Sequence, residues 1–198
     1  MELYIARHGE TEYNAARRLQ GSGQDAPLTQ KGIAQAKTLG ESLEGLVFDA
    51  IYSSPLKRAM DTARIAFKDE ALFESRAVTD KRLVEIGLGD AEGMAWDGEA
   101  MERFPEAVKN MMANPTAYIP PTNGEPLTDM IARLDSFLQE LASKPYKHVF
   151  VLAHGYVLRV VYACSQDKSV AAIGSAPVFD NCALSRYIYN GSKWEFAQ

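Results

Sequence analysis

MELYIARHGETEYN, residues 1 to 14, is the stretch on which the reading of the chain turns. Leu3, Ile5 and Ala6 form a short apolar run, and Arg7-His8-Gly9 interrupts it where a buried strand would emerge into solvent. In open α/β sheets ligands collect outside the carboxyl ends of the strands. A guanidinium beside an imidazole at such an end therefore reads as an anion site that also holds a nucleophile or base. His148 to Ala153, HVFVLA, repeats the pattern as a near-continuous apolar run of the kind expected for a central parallel strand. His154-Gly155 closes it before an apolar helix expected from Tyr156 to Cys164.

Between these two strands the chain reads in order. Gly21 to Pro27 is a turn-rich loop expected to return across the mouth of the site, and Thr29 starts a helix whose apolar stripe is Ile33, Ala36, Leu39, Leu43 and Leu46. Phe48 to Tyr52 reads as a strand. Ser54 is then the expected N-cap and Pro55 the first residue of a helix that carries Arg58 in its opening turn and aims its free N–H groups at the same crevice. Arg76 to Pro126 is rich in glycine, proline, Met and aromatic residues and is expected to be loop with short helices. Packing as a small satellite core is preferred for it over a lid that touches substrate. Leu127, Ile131, Leu134, Leu138 and Leu141 mark a long helix, and Leu184 to Tyr189 with Trp194 to Phe196 an edge hairpin. The fold class is α/β: a three-layer α/β/α sandwich on a mostly parallel sheet. One domain is expected over 1–198, with a lid-like insertion at about 86–126. Right-handed crossovers bring the junctions carrying Arg7 and His8, Arg58, and His154 to one sheet edge.

Composition limits the function. The 198 residues are 46% apolar and 24% charged, with 21 basic against 26 acidic side chains, a net charge of −5 and no basic run. This excludes nucleic acid and anionic membrane as main partners. No apolar stretch reaches membrane-spanning length and no secretion signal opens the chain, so a cytoplasmic protein with reduced Cys164 and Cys182 is expected. His8, Glu10, Glu12 and His154 are metal-ligand types without metal-site spacing, so no metal is expected.

Seven ordered motifs carry a resemblance: RHGETEYN (7–14), LQG (19–21), DAPLT (25–29), KG (31–32), SSPLKRAMDTA (53–63), LVEIGLGDAEG (83–93) and AHG (153–155). Together they resemble the histidine phosphatase superfamily, which includes the cofactor-dependent phosphoglycerate mutases. The resemblance implies that His8 is the nucleophile that takes the phosphoryl group. Arg7, Arg58 and His154 would grip its oxygens, and Glu85 would be the general acid, with Glu10, Glu12 and Glu92 as competitors. Thr11, Asn14, Gln20, Gly21 and Gly155 would line the phosphate or substrate side. It implies no metal and no other cofactor. The sequence departs from the family at Tyr13, where Trp is usual, and at Ala91, which replaces a common aromatic. Both are expected to border the substrate.

A mutase needs extra basic groups in its lid, whereas Glu85 to Glu125 supplies only Arg103 and Lys109 among many carboxylates. Hydrolysis of a phosphorylated small metabolite is therefore expected, with mutase-type phosphotransfer or a phosphometabolite sensor as alternatives. The aromatic lid, with Trp96, Phe104 and Tyr118, points to an ester bulkier or less charged than phosphoglycerate. A homodimer is left open.

Overall fold

The computed structural model describes residues 1–68, 73 and 76–197. Its elements are β1 (Glu2–Arg7), α1 (Glu12–Ala15), α2 (Gln30–Ser42), β2 (Ala50–Ser53), α3 (Lys57–Phe67), β3 (Ala77–Thr79), α4 (Glu99–Arg103), α5 (Pro105–Ala113), α6 (Leu127–Ala142), β4 (His148–Ala153), α7 (Gly155–Ser165), α8 (Val170–Gly174), β5 (Leu184–Tyr189) and β6 (Trp194–Phe196). The six strands form one sheet in the order β3-β2-β4-β1-β5-β6. The first four in that order run parallel, and β5 lies antiparallel to β1 and to β6. The expected α/β class and edge hairpin are thus present.

The side-chain period of a strand explains the layers. In β4, Val149, Val151 and Ala153 join one core with Leu3 and Ile5 of β1 and the buried faces of α6 and α7. Phe150 and Leu152 point the other way and pack with Ala6, Ile51, Leu39 of α2, and Ala59 and Ala63 of α3. Both faces of the central strands are covered, which is why HVFVLA reads as unbroken apolar sequence.

Several local expectations are corrected. α2 ends at Ser42, so Leu46 lies beyond it and is 39% exposed, while Gly32 and Gly40 belong to the buried face. Gly40 is there because a Cβ would stand 2.3 Å from the Ala66 carbonyl oxygen of α3. The residues between Leu83 and Met111 form no satellite core: Leu83, Ile86, Leu88, Met94, Val108 and Met111 join the cluster of β1, β4, α6 and α7. α1, β3 and α8 are too short to leave a periodic signal in sequence.

α3 begins at Lys57 with Leu56 at the cap, two residues later than Ser54-Pro55 suggests. Its first N–H groups are taken up by an acidic side chain of the chain itself. The carboxylate of Asp25, from the loop before α2, accepts from the backbone N–H of both Lys57 and Arg58. Asp25 also pairs with the Arg58 guanidinium at 3.2 Å. Asp25→Ala should therefore lower stability by about 1–2 kcal/mol, the usual value of a helix cap, and weaken phosphate binding through a loosened Arg58. Chemical denaturation and the affinity for inorganic phosphate check the two parts.

Candidate active site

Register places the two histidines. Arg7 of β1 stands opposite Ala153 of β4, so the next residues, His8 and His154, leave adjacent strands side by side. Their rings lie 5.1 Å apart, edge to face, and both are buried. β2 ends beside them with Ser53 opposite Leu152, which brings Ser54 Oγ to 2.7 Å from His154 Nε2. This is the use of Ser54 in place of helix capping.

His8 is oriented by its neighbours. Its Nδ1 lies 2.7 Å from the Gly9 carbonyl oxygen, which can only accept, so the ring proton sits on Nδ1 and the Nε2 lone pair is free. The Gly9 peptide is itself held by Thr62 of α3, whose hydroxyl accepts from the Gly9 N–H. Asn181 fixes the other side by donating to the His8 carbonyl at 3.0 Å. Burial, then Arg58 and Arg7, hold the His8 pKa well below the ordinary imidazole value, and burial with Arg58 does the same to His154.

These shifts have a stability consequence. Both imidazoles stay neutral in the folded chain, while in the unfolded chain they take up protons near the ordinary value of 6.5. Their contribution is present above that pH and is lost as pH falls toward and through the lowered folded values. Tm should drop between about pH 7 and 5, and less steeply in His154→Gln, in thermal denaturation across that range.

The two guanidiniums are gripped from behind. Arg58, 1% exposed, donates through Nη1 to the Gln24 carbonyl and through Nη2 to the Gly21 carbonyl. Arg7 donates through Nη1 to the Phe179 carbonyl and packs against Gly155, where a Cβ would stand 3.2 Å from its Nε. In both the Nε donor has no partner. The loop of residues 21–25 thus backs Arg58 and does not cross the mouth of the site.

Glu85 completes the wall. One carboxylate oxygen accepts from the Ile86 N–H at 2.9 Å and the other from the Tyr156 N–H in the first turn of α7 at 3.2 Å. Burial raises its pKa above the ordinary carboxyl value, against the opposing pull of these hydrogen bonds and the two guanidiniums. The competing carboxylates are placed differently. Glu10 lines the cavity but bonds Lys31 and Thr29, which lower its pKa, and Glu92 accepts from the Gly23 and Leu88 N–H groups.

Arg7, His8, Glu85, Asn14 and Gln20 line one cavity of about 460 Å3 together with Trp96 and Met111 from the 86–126 segment. Thr11 does not line it. Its hydroxyl donates to Gln20 Oε1 at 2.7 Å and caps α1, so it orients Gln20. Gly21 and Gly155 act through the arginines they support. Tyr13 and Ala91 also lie off this cavity: Ala91 is fully buried in the core, and Tyr13 packs beside Gly93. Arg17 and Arg18 do line it, which sequence reasoning missed. They come from the loop before Gln20, and Arg17 has a positive φ of 52° that no pattern reveals. Asn181, Thr62 and Ser54 were missed for a similar reason, since each matters through one tertiary hydrogen bond. Among the described residues no group of three or more His, Cys, Asp and Glu side chains could hold a metal ion. No helix among them is long and apolar enough to cross a membrane.

A family model for the histidine phosphatase superfamily, branch 1, matches residues 3–198. The chain belongs to the histidine phosphatase superfamily. Among its relatives, phosphoglycerate mutase-like protein 4 of Arabidopsis thaliana is 32% identical, the match covering 98% of this chain and 82% of the relative. The mycobacterial glucosyl-3-phosphoglycerate phosphatase has a similar structure, with TM-score 0.87, 28% identity and coverage of 99% of this chain and 96% of the other. The α-ribazole phosphatase of Shigella flexneri gives TM-score 0.86 and 27% identity over 100% and 95% of the two chains. The superfamily thus spans proteins named for hydrolysis and for mutase chemistry, on one fold.

Proposed function

We propose that the chain is a metal-independent phosphatase that hydrolyses phosphate monoesters of small metabolites through a phosphohistidine on His8. One observation carries this reading. Seven buried side-chain N and O atoms among the described residues lack a partner, and four of them are Arg7 Nε, Arg58 Nε, His154 Nδ1 and Gln20 Nε2. Folded proteins satisfy nearly all buried polar atoms, so unpartnered polar atoms on Arg7 and Gln20, which line the cavity, and on Arg58 and His154, fully buried behind it next to His8, support an anion with several acceptor oxygens as the missing partner.

The chemistry follows from the orientation of the groups. His8 Nε2 attacks phosphorus, the bond to the ester oxygen breaks, and the protonated Glu85 gives that oxygen its proton. Arg7 and Arg58 hold the equatorial oxygens and stabilise the charge spread over them. Ser54 Oγ, 2.7 Å from His154 Nε2, holds that ring in place, and with its proton on Nδ1 His154 would offer the phosphate a further donor. In the second step the Glu85 carboxylate takes a proton from water as that water attacks the phosphohistidine. Phosphate leaves, and both groups return to their starting states.

The names of the mycobacterial and Shigella neighbours support hydrolysis, and that of the Arabidopsis relative keeps mutase-type transfer as the second reading. Phosphate release from p-nitrophenyl phosphate and other monoesters in the presence of a chelator tests the proposal. Turnover that needs added metal, or mutase turnover of 3-phosphoglycerate well above phosphate release, would reject it.

A further inference from the structure

Arg159 is a buried guanidinium that the phosphatase chemistry leaves unused. It projects from α7, is 5% exposed, and donates through Nη2 to the Ile173 carbonyl at 2.9 Å, while its Nε has no partner. Among the described residues no carboxylate pairs with it, in contrast to Arg58 with Asp25 or Arg133 with Glu125. A cation buried without a counter-charge is costly, and that cost is offset when a ligand supplies the missing anion.

The surroundings say which ligand. Arg159 lines a second cavity of about 180 Å3, and Arg7, Glu85 and Met111 line both this cavity and the larger one. The two adjoin at the carboxyl that protonates the leaving group. Arg159 follows Gly155, the residue under the Arg7 guanidinium, by four residues of α7, about 6 Å along the helix axis, a span that a short carbon chain bridges. Met111, Met112, Val178 and Phe179 give the cavity apolar walls. Beyond Arg7, which already serves the phosphate, the Arg159 guanidinium edge between these apolar walls suits a small planar monoanion. A second phosphate would call for the multiple cationic donors found in the main cavity.

We propose that Arg159 and this cavity form a subsite for a carboxylate carried by the leaving group, a few carbon atoms from the ester oxygen. The subsite rests on the phosphomonoester reading above. It departs from the expectation, drawn from the aromatic Trp96, Phe104 and Tyr118, of an ester bulkier or less charged than phosphoglycerate, because Arg159 stands on α7, outside the 86–126 segment.

The test compares 3-phosphoglycerate with glycerol 3-phosphate, which differ only in carboxylate against hydroxymethyl. Calorimetry is done in a His8→Ala protein so that neither ester is consumed. The parent should bind 3-phosphoglycerate about tenfold or more tightly than glycerol 3-phosphate, the scale of one charge-assisted hydrogen bond. Adding Arg159→Met should bring the ratio close to 1, and Arg159→Lys should restore part of it. No preference in the parent, or a preference that survives Arg159→Met, overturns the proposal. Should Arg159→Met fail to fold, Val178→Asp places a negative charge on the cavity rim at a residue 79% exposed. It should weaken 3-phosphoglycerate several-fold more than glycerol 3-phosphate, and equal effects on the two overturn the subsite. Hydrolysis of p-nitrophenyl phosphate by the unmodified protein is decided separately. A phosphatase without carboxylate preference loses only the subsite, and an Arg159-dependent preference without turnover loses only the phosphatase.

Discussion

His8→Ala is expected to cut phosphate release from every monoester by at least about 10⁴-fold, because it removes the atom that would carry the phosphoryl group. The loss should appear in kcat. The groups proposed to hold phosphate stand on other residues: Arg7, Arg58 and His154 are positioned by the Phe179, Gln24 and Gly21 carbonyls and by Ser54, none of which depends on the His8 ring. Inorganic phosphate should therefore still bind within about tenfold of the unmodified affinity, the range of one lost neutral contact. Rapid quenching of the unmodified protein with a labelled ester should trap a phosphoryl-protein that is stable in base and labile in acid, and His8→Ala should trap none. Retention of more than about one hundredth of the activity would place the nucleophile on another side chain. His154 would be the first suspect, as the neighbouring ring at 5.1 Å.

What sequence could reveal of this arrangement divides along a physical line. The strands were legible because burial on both faces demands unbroken apolar runs, as in HVFVLA, and the long helices because one buried face demands a three- and four-residue period, as from Leu127 to Leu141. The convergence of Arg7, His8, Arg58 and His154 was legible from topology, since consecutive parallel strands end on the same edge. Support was not. Ser54 looks like a helix cap by residue type, yet its hydroxyl faces His154, and the cap of α3 comes from Asp25, more than thirty residues upstream. Thr11 looks like a substrate ligand by motif and instead orients Gln20. Asn181 and Thr62 each act through one long-range hydrogen bond to the backbone around His8. Such contacts depend on which loops meet in space, and residue spacing carries no record of that. Arg17, Arg18 and Arg159 show the same limit: a search for basic groups confined to one segment passes over those that other elements bring to its walls.

Glu85→Gln should separate the two chemical steps. With an alkyl phosphate the departing alkoxide needs a proton, so loss of the acid should lower kcat/KM by about 10²–10⁴-fold. p-Nitrophenolate leaves as a stable anion, so phosphorylation of His8 by p-nitrophenyl phosphate should be nearly spared. Hydrolysis of the phosphohistidine still needs a base to take the proton from water, and Gln cannot do this. The variant should therefore release about one equivalent of p-nitrophenol per site in a burst and then turn over slowly, with phosphohistidine accumulating. The pH dependence has a definite sign. Burial holds the Glu85 pKa above the ordinary 4.5, so kcat/KM of the unmodified protein for an alkyl ester should fall as pH rises through that raised value and strips the acid of its proton. The limb should vanish in Glu85→Gln. The geometry allows this division of labour because the two backbone N–H groups on Glu85, from Ile86 and Tyr156, fix the carboxyl without neutralising it. Equal losses for alkyl and aryl esters, with no burst, would show that Glu85 acts only on the shape or charge of the cavity and that the proton comes from elsewhere.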